Sequence, residues 1–188
     1  MSLVVSETAA PGIARIAINR PDKRNAVSPE ARNDLIEAVT EALRDNATCA
    51  IVIGSIAGHF CAGGDIDSMI DLDVASGRTR MKDNHRMVRV LAEAEKPIVA
   101  GVEGFAVGAG AGIALLCDSI VLAESGALGF PFFRIGLTPD YGILFTLSRR
   151  VGGARARQIL LRAQMLKGQD AIDIGLADEL VADGGAEV

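Results

Sequence analysis

The sequence GFAVGAGAG at residues 104–112 follows a short apolar run and holds four glycines in nine residues. A second glycine turn, FCAGGD at residues 60–65, also follows an apolar run. Glycine allows a tight turn and lets another group approach the backbone closely. Two turns that free their backbone N–H groups can together hold one developing oxyanion, and the pair therefore indicates a site of that kind.

The segments around these turns alternate between strand and helix patterns, which predicts the α/β class. Two apolar runs flank APG at residues 10–12 and predict a hairpin. Ser28 is a favourable N-cap and Pro29 a favourable first helical residue, so a helix is predicted from there to about Asn46. Residues 67–84 are polar and receive no assignment. The remaining predicted strands are 50–53, 98–102, 119–123 and 179–181, and the remaining helices contain 87–91, the stretch from the second turn to 116, 144–150, 154–162 and 170–174.

Composition sets the broad class of the protein. The chain has 188 residues, of which 49% are hydrophobic and 23% charged, so residues 1–188 are expected to form one domain. A net charge of −5 and only 4% aromatic residues argue against a nucleic-acid surface. Cys49, Cys61 and Cys117 are odd in number and lie in apolar runs, which favours buried reduced thiols over disulfides or a metal cluster. The sequence has no signal peptide pattern and no apolar stretch of membrane-spanning length, so a cytoplasmic protein without membrane contact is expected.

The second turn also invites comparison with a dinucleotide-binding fingerprint. Gly108, Gly110 and Gly112 give G-x-G-x-G, but Ile113 stands where G-x-G-x-x-G needs its last glycine. The usual fingerprint also belongs to the first strand and helix of a chain, whereas this motif lies deep in the sequence. NAD or FAD binding is therefore disfavoured, and close helix packing is the simpler alternative use of these glycines.

Five segments stand out in order along the chain: residues 19–26, 60–65, 96–100, 104–118 and 136–152. Together they resemble the crotonase (enoyl-CoA hydratase/isomerase) superfamily. The resemblance implies a spiral of strand-strand-helix repeats, a homotrimer or dimer of trimers, and an acyl-CoA thioester substrate. Coenzyme A then arrives as part of the substrate, and neither a separate cofactor nor a metal is implied. By position, the N–H groups of Gly64 and Ala109 would hold the oxygen of a thioester enolate.

The sequence departs from the family's hydratases where they carry two glutamates. The matching positions are Gly112 and Phe132, neither of which can transfer a proton, so hydration of an enoyl-CoA is disfavoured. Isomerases of the family resemble this chain in having an aspartate at Asp140. We therefore predict an isomerase in which Asp140 removes a proton from one carbon of the acyl chain and returns it to another; its alternative role is to cap the following helix. An apolar wall that raises the pKa of Asp140 is expected from Phe130, Phe132, Phe133 and Ile135.

Two other functions stay open. In the halobenzoyl-CoA dehalogenase branch the aligned aspartate is a nucleophile and a histidine at the spacing of His85 is the base, although the tryptophan of that branch is replaced by Phe132. A surface or packing role is the alternative for His85. The missing glutamates also leave room for a non-catalytic scaffold that binds acyl-CoA.

The resemblance also implies contacts to coenzyme A. Arg24 could donate to a phosphate, with a solvated loop charge as the alternative. Asp65 is expected to bind nearby backbone N–H groups as well, and His59 is expected to be exposed. Relatives continue beyond the segment matching residues 171–181, so the C-terminal helical segment of the family is expected to be largely absent. The predicted substrate contacts are Arg24, Ala26, Ala62, Asp65, Ile66 and Phe132.

Overall fold

The computed structural model describes residues 2–186, which form two sheets and six α-helices. The strands are β1 (Val4–Ala10), β2 (Ile13–Ile18), β3 (Ala50–Ser55), β4 (Ile98–Val102), β5 (Phe105–Val107), β6 (Ser119–Ala123), β7 (Ala127–Gly129), β8 (Met165–Lys167) and β9 (Glu179–Val181). The helices are α1 (Pro29–Arg44), α2 (Val74–Ala92), α3 (Ala109–Leu116), α4 (Ile143–Val151), α5 (Gly153–Leu161) and α6 (Gly168–Asp173).

The larger sheet has the strand order β1-β2-β3-β4-β6-β9. Only its edge pair, β1 with β2, is antiparallel, and the neighbours from β2 to β9 run parallel. The smaller sheet has the order β5-β7-β8, with β5 parallel to β7 and β7 antiparallel to β8. Parallel neighbours need a crossover connection, and the helices supply it.

The two sheets arise from a repeating unit. After β4 the chain adds a strand to the smaller sheet, β5, and then forms α3; after β6 it adds β7 and reaches α4. Each unit therefore gives one strand to each sheet before its helix. This strand-strand-helix order confirms the predicted α/β spiral, and it places each glycine turn where a strand of the larger sheet has just ended.

Local signals account for α1 and for the way it packs. The Oγ of Ser28 accepts a hydrogen bond from the backbone N–H of Ala31 at 3.2 Å, and Pro29 follows at the first helical position. Leu35 and Val39 are buried one turn apart and face the core. The predicted helix is confirmed, with its end at Arg44. No helix among residues 2–186 is both long and apolar enough to cross a membrane.

Several predicted boundaries need correction. Residues 67–84, which had no assignment, contain the first half of α2; the helix begins at Val74 because the Asp73 side chain accepts from the backbone N–H of Ser76 at 2.7 Å. The strands β5, β7 and β8 were not predicted from the sequence, although the equally short β9 was; these three strands form the smaller sheet, and three residues show no clear strand periodicity.

The prediction of three buried thiols is wrong for one of them. Cys49 is exposed, since it lies just before β3 at the edge of the core. Cys61 and Cys117 are buried, and burial raises the pKa of each thiol to about 12. These two thiols therefore stay protonated at neutral pH and act as small apolar core groups.

Candidate active site

The two glycine turns lie side by side. The backbone N–H of Cys61 donates to the carbonyl of Phe105 at 3.0 Å, and the N–H of Val107 donates to the carbonyl of Cys61 at 2.9 Å. A Cβ added at Gly110 would lie 2.6 Å from the Cβ of Cys61, so only glycine lets α3 approach this closely. Close packing is therefore one real use of the second glycine cluster, as the simpler alternative predicted.

The N–H of Gly64 points away from its neighbouring segment. Val27 donates to the carbonyl of Gly63 at 2.8 Å and accepts from the N–H of Asp65 at 3.0 Å, so it pairs with the residues on either side of Gly64. In a parallel bridge of this kind the flanked residue turns its own N–H and C=O to the opposite side. The amide of Gly64 is therefore directed away from Val27.

The N–H of Ala109 lies close to the same turn. Ala109 is the first residue of α3, and the first N–H groups of a helix have no partner within it. A Cβ added at Gly63 would lie 4.0 Å from the Ala109 nitrogen and 3.1 Å from the carbonyl oxygen of Val107. The absent side chain leaves the two turns in direct proximity, an arrangement suited to two amides that bind one oxygen.

Gly108 and Phe132 form the entry to α3. Gly108 precedes the helix with φ of 54°, a backbone conformation that favours glycine. A Cβ added there would lie 3.9 Å from Cζ of Phe132, which is buried beside the turn. The aromatic ring and the positive end of the helix dipole thus flank the same amides.

Asp140 lies half-buried on the loop before α4. Its Oδ2 accepts a hydrogen bond from Nδ2 of Asn84 at 3.1 Å. Burial raises the pKa of the carboxyl above its ordinary value, although its own backbone, Arg80, the Asn84 bond and His85 act in the opposite direction. A carboxyl group with a raised pKa is better matched to accepting and releasing a proton near neutral pH.

The capping alternative for Asp140 is wrong. Gly142 is the N-cap of α4, and no side chain makes a capping hydrogen bond there. Only the backbone carbonyl of Asp140 takes part in this helix start, where it accepts from the N–H of Ile143 at 3.0 Å. The carboxyl group of Asp140 therefore makes no capping hydrogen bond to α4.

The glutamate position at Gly112 has no room for a side chain. A Cβ there would lie 2.5 Å from the Cβ of Tyr141 and 3.3 Å from two atoms of Ile143. The second position, Phe132, is filled by a buried ring. Neither position supplies a carboxylate, and at Gly112 the loop that carries Asp140 occupies the space.

The predicted apolar wall is wrong in part. Phe130 and Phe132 are buried, but Phe133 and Ile135 are 46% and 54% exposed. The short 3-10 turn Phe132–Ile135 rotates successive side chains by about a third of a circle, so Phe133 cannot share a face with the buried Phe132. Phe133 and Ile135 are therefore not part of a buried wall.

The loop of residues 19–26 is tied to the first glycine turn. The N–H of Ala62 donates to the carbonyl of Arg24 at 3.0 Å, and Arg20 pairs with Asp65 at 3.0 Å, with both side chains mostly buried. Arg20 also donates to the carbonyl of Ala26. The predicted contacts Arg24, Ala26, Ala62 and Asp65 are therefore brought together. Oδ1 of Asp65 also accepts from the backbone N–H of Asp67 at 3.2 Å, the kind of backbone contact that was expected.

Asn25 holds this loop and was missed by the sequence analysis. It is fully buried, and its side chain accepts from the N–H of Arg20 at 2.8 Å and donates to the carbonyls of Ile56 at 3.0 Å and His59 at 2.7 Å. Its φ of 58°, next to a φ of 50° at Arg24, turns the chain sharply. An asparagine after a short polar loop is the signal that could have found it, because asparagine tolerates this conformation.

Three other residues singled out from the sequence lie outside the cluster formed by residues 19–26 and the first glycine turn, or differ from their predicted exposure. His59 was expected to be exposed, but its ring stacks on Phe105 with centroids 4.0 Å apart, and within residues 2–186 its buried Nδ1 has no hydrogen-bond partner. Ile66 is 62% exposed at the start of a 3-10 turn. His85 is exposed on α2, and it lies close enough to Asp140 to lower the pKa of the Asp140 carboxyl.

Helix α2 contributes two polar residues that the sequence analysis missed. Arg80 donates to Oγ of Ser68 at 3.0 Å, and its Nη2 lies 3.4 Å from where a Cβ of Gly64 would be. Asn84 is buried against Asp140. Both continue the helical spacing of the buried Met87 and Leu91, and a polar residue on such a stripe is the signal that could have found them.

Comparison with known proteins gives consistent matches. The sequence model described as enoyl-CoA hydratase/isomerase matches residues 8–188. A short-chain-enoyl-CoA hydratase of Clostridium acetobutylicum is 33% identical over 90% of this chain and 65% of that protein. A crotonyl-CoA hydratase of Syntrophomonas wolfei is 34% identical with the same coverage. The crystal structure of an enoyl-CoA hydratase from Thermoplasma volcanium has a TM-score of 0.93 at 28% identity, over 97% of this chain and 73% of that chain. The chain thus spans 65% of the length of these two curated relatives.

Proposed function

Since this chain belongs to the enoyl-CoA hydratase/isomerase family, we propose that it is an acyl-CoA isomerase that shifts a double bond through a thioester enolate. The observation that carries the proposal is a half-buried Asp140 with a raised pKa in a chain whose Gly112 and Phe132 positions lack a carboxylate. One carboxylate is sufficient to move a proton between two carbons. Hydration in this family was expected to need two carboxylates.

In the proposed reaction, Asp140 removes a proton from one carbon of an unsaturated acyl group. The electron pair moves toward the thioester carbonyl, and the N–H groups of Gly64 and Ala109 bind the resulting enolate oxygen. Asp140 then returns the proton to another carbon, so that the double bond has moved and no atom is gained or lost. Each amide donor in such a site is worth about 2.7–4 kcal/mol of the barrier. Arg80 adds a positive charge beside Gly64 and Asp140.

Coenzyme A enters this proposal as part of the substrate, and the reaction uses no separate cofactor. The proposed contacts are the exposed Arg24 and the adjoining Ala26, Ala62, Asp65 and Ile66, with Phe132 beside the acyl group. The bonds that join residues 19–26 to the first turn support them as one surface.

Enoyl-CoA hydration is the second candidate, and the names of the curated relatives favour it. It would require a water molecule activated by Asp140 with a different second group. The two candidates differ in their product, because hydration adds water to form a 3-hydroxyacyl-CoA, whereas isomerisation leaves the mass unchanged.

A homotrimer or dimer of trimers in the cytoplasm belongs to the same proposal. Large apolar side chains are exposed on the turn before α4 and on α4 itself, which supports self-association. Sedimentation of the protein would test the oligomeric state. The residues are Phe133, Ile135, Leu137, Leu144 and Phe145.

One experiment tests the activity. The protein and its Asp140→Asn variant are incubated with 2-enoyl- and 3-enoyl-CoA esters in deuterated water, and product mass and double-bond position are followed. We expect a shifted double bond with deuterium incorporation, and a loss of about 10²- to 10⁴-fold in the variant. Asp170→Asn, an exposed aspartate on α6, is the matched control and should keep full activity.

The other outcomes separate the alternatives. Formation of 3-hydroxyacyl-CoA favours hydration, and chloride release from a halobenzoyl-CoA favours the dehalogenase reaction with His85. Binding of acyl-CoA without turnover or deuterium uptake favours a scaffold. Undiminished turnover by Asp140→Asn would overturn the role of Asp140.

A further inference from the structure

A buried chain of hydrogen bonds leads from α1 to Asp140. Nη1 of Arg32 donates to Oδ1 of Asn84 at 2.9 Å, and Nδ2 of Asn84 donates to Oδ2 of Asp140 at 3.1 Å. Arg32 is 4% exposed and Asn84 is 1% exposed. Arg32 also pairs with Asp83 at 3.3 Å, so its buried charge has a carboxylate partner. Three segments of the chain thus meet at one amide.

The surroundings of Asn84 fix which way its amide faces. Its Oδ1 accepts from Arg32 and also from the Tyr141 hydroxyl at 3.3 Å. A guanidinium group has only donors, so a flipped amide would place its NH₂ group against Arg32 with nothing to accept a bond. A flipped amide would also turn its oxygen toward the Asp140 carboxylate. The NH₂ group of Asn84 must therefore face Asp140.

The fixed NH₂ group of Asn84 contacts only one of the two carboxylate oxygens of Asp140. Oδ2 is occupied by Asn84, and among residues 2–186 no other side chain donates a hydrogen bond to the carboxylate. Arg32 polarises the amide, which strengthens its donation on the other side. The backbone of Asp140 itself also favours the charged carboxylate. Oδ1 has no side-chain donor among residues 2–186, so it is the oxygen that can exchange a proton with a substrate.

We propose that Asn84 is a positioning residue that holds the Asp140 carboxylate by Oδ2 and reserves Oδ1 for proton transfer. This inference rests on the proposed role of Asp140 in isomerisation. Asn84 acts through Asp140 and does not itself touch the reacting atoms. The hydrogen bond from Asn84 favours the charged carboxylate of Asp140, whereas burial favours its neutral acid. These two effects act on the pKa of Asp140 in opposite directions.

Other charged or titratable groups also face Asp140 and must be kept constant in a test. Arg80 and His85 on α2 lower the pKa of Asp140. Tyr141 is adjacent, and its own pKa is raised by burial and by the charge of Asp140. Variants at position 84 leave Arg80 and His85 in place, and Asn84→Asp also keeps the acceptor oxygen for Arg32 and Tyr141. A change in the titration of Asp140 in Asn84→Asp can therefore be assigned to the lost NH₂ donor and the added carboxylate.

The experiment is a carbon-13 NMR titration of the Asp140 side-chain carboxyl, with its signal identified by its loss in Asp140→Asn. Asn84→Asp preserves shape and the acceptor for Arg32 but replaces the donor by a second carboxylate oxygen. We expect Asp140 to titrate at higher pH in this variant, because two adjacent carboxylates resist joint ionisation. We also expect kcat to fall by about 10- to 100-fold, the equivalent of one hydrogen bond to a charged group, with little change in KM.

Two further variants keep the inference falsifiable. Asn84→Ala removes the donor without adding charge and should raise the titration midpoint by less than Asn84→Asp. Lys82→Ala, at an exposed position of the same helix, should leave both titration and activity unchanged. Circular dichroism checks that each variant is folded.

The results separate this inference from the proposed function. An unchanged Asp140 titration in the folded Asn84 variants would overturn the positioning role, even where Asp140→Asn is inactive and the proposed function stands. Full isomerase turnover by Asp140→Asn would overturn the proposed function and the role of Asn84 with it. A raised titration midpoint with reduced kcat supports both.

Discussion

The candidate site has two halves, one made of backbone amides and the other of polar side chains. The backbone half consists of the turns at residues 60–65 and 104–112, which missing side chains allow to lie side by side. The side-chain half consists of Arg32, Asn84 and Asp140, which come from α1, α2 and the loop before α4. An arrangement of amides can bind an oxyanion in any reaction that forms one, whereas the side chains decide where a proton moves. We therefore expect changes in the first half to affect any reaction through an oxyanion and changes in the second half to affect proton transfer.

Apart from the loss of activity in Asp140→Asn, the largest effect is expected from a change in the backbone half. Gly63→Ala introduces a Cβ 3.1 Å from the carbonyl oxygen of Val107 at φ of 113°, and so pushes the two turns apart. Misplacing one amide donor should reduce kcat for deuterium uptake into acyl-CoA by about 10²- to 10³-fold. Gly58→Ala is the matched control, because its φ of 78° is also positive but its Cβ would meet nothing within 4 Å. Equal rates for both variants would contradict a site built from these amides.

A smaller effect should appear in stability rather than in chemistry. Gly110→Ala places a Cβ 2.6 Å from the Cβ of Cys61 and 2.8 Å from its carbonyl oxygen, which cannot move away easily. We expect the free energy of unfolding to fall by about 1–3 kcal/mol from overpacking. Gly77→Ala, inside α2 with open space around it, should instead gain about 0.5–1 kcal/mol. Urea unfolding of both variants measures the difference, and a neutral Gly110→Ala would show that the contact between the turns can relax.

The smallest effect concerns the pH dependence of stability in the side-chain half. Burial raises the pKa of Asp140 in the folded protein, so the folded state binds this proton more tightly than the unfolded chain. Stability from that proton is present at low pH and is lost as pH rises from about 3.9, the ordinary aspartate value, through the raised value. Asp140→Asn lacks this loss and keeps an acceptor oxygen for Asn84. Its stability relative to the original protein should therefore increase with pH across this window in urea unfolding, and a decrease would contradict the direction of the shift.

The turns and many of the helices and strands could be recognised from the sequence for a local reason. Glycine clusters, the Ser28-Pro29 helix start and the short apolar strands are recognisable within a few residues, because backbone conformation depends on near neighbours. The strands β5, β7 and β8 were missed because three residues carry little local signal, and of the strands of this length only β9 was predicted. The structural role of Asn25 was missed because its three partners lie before and after it in different segments.

By itself, the sequence determined the α/β spiral, the two glycine turns and the presence of one aspartate in place of the two glutamates. Only the tertiary structure decided that Tyr141 fills the space beside Gly112, that Asp140 does not cap α4, and that Arg32 and Asn84 stand behind its carboxylate. Helix and strand patterns are fixed by spacing along the chain. The proton affinity and orientation of a side chain depend instead on burial and on groups that are 50 or more residues away in sequence, which meet only when the chain has folded.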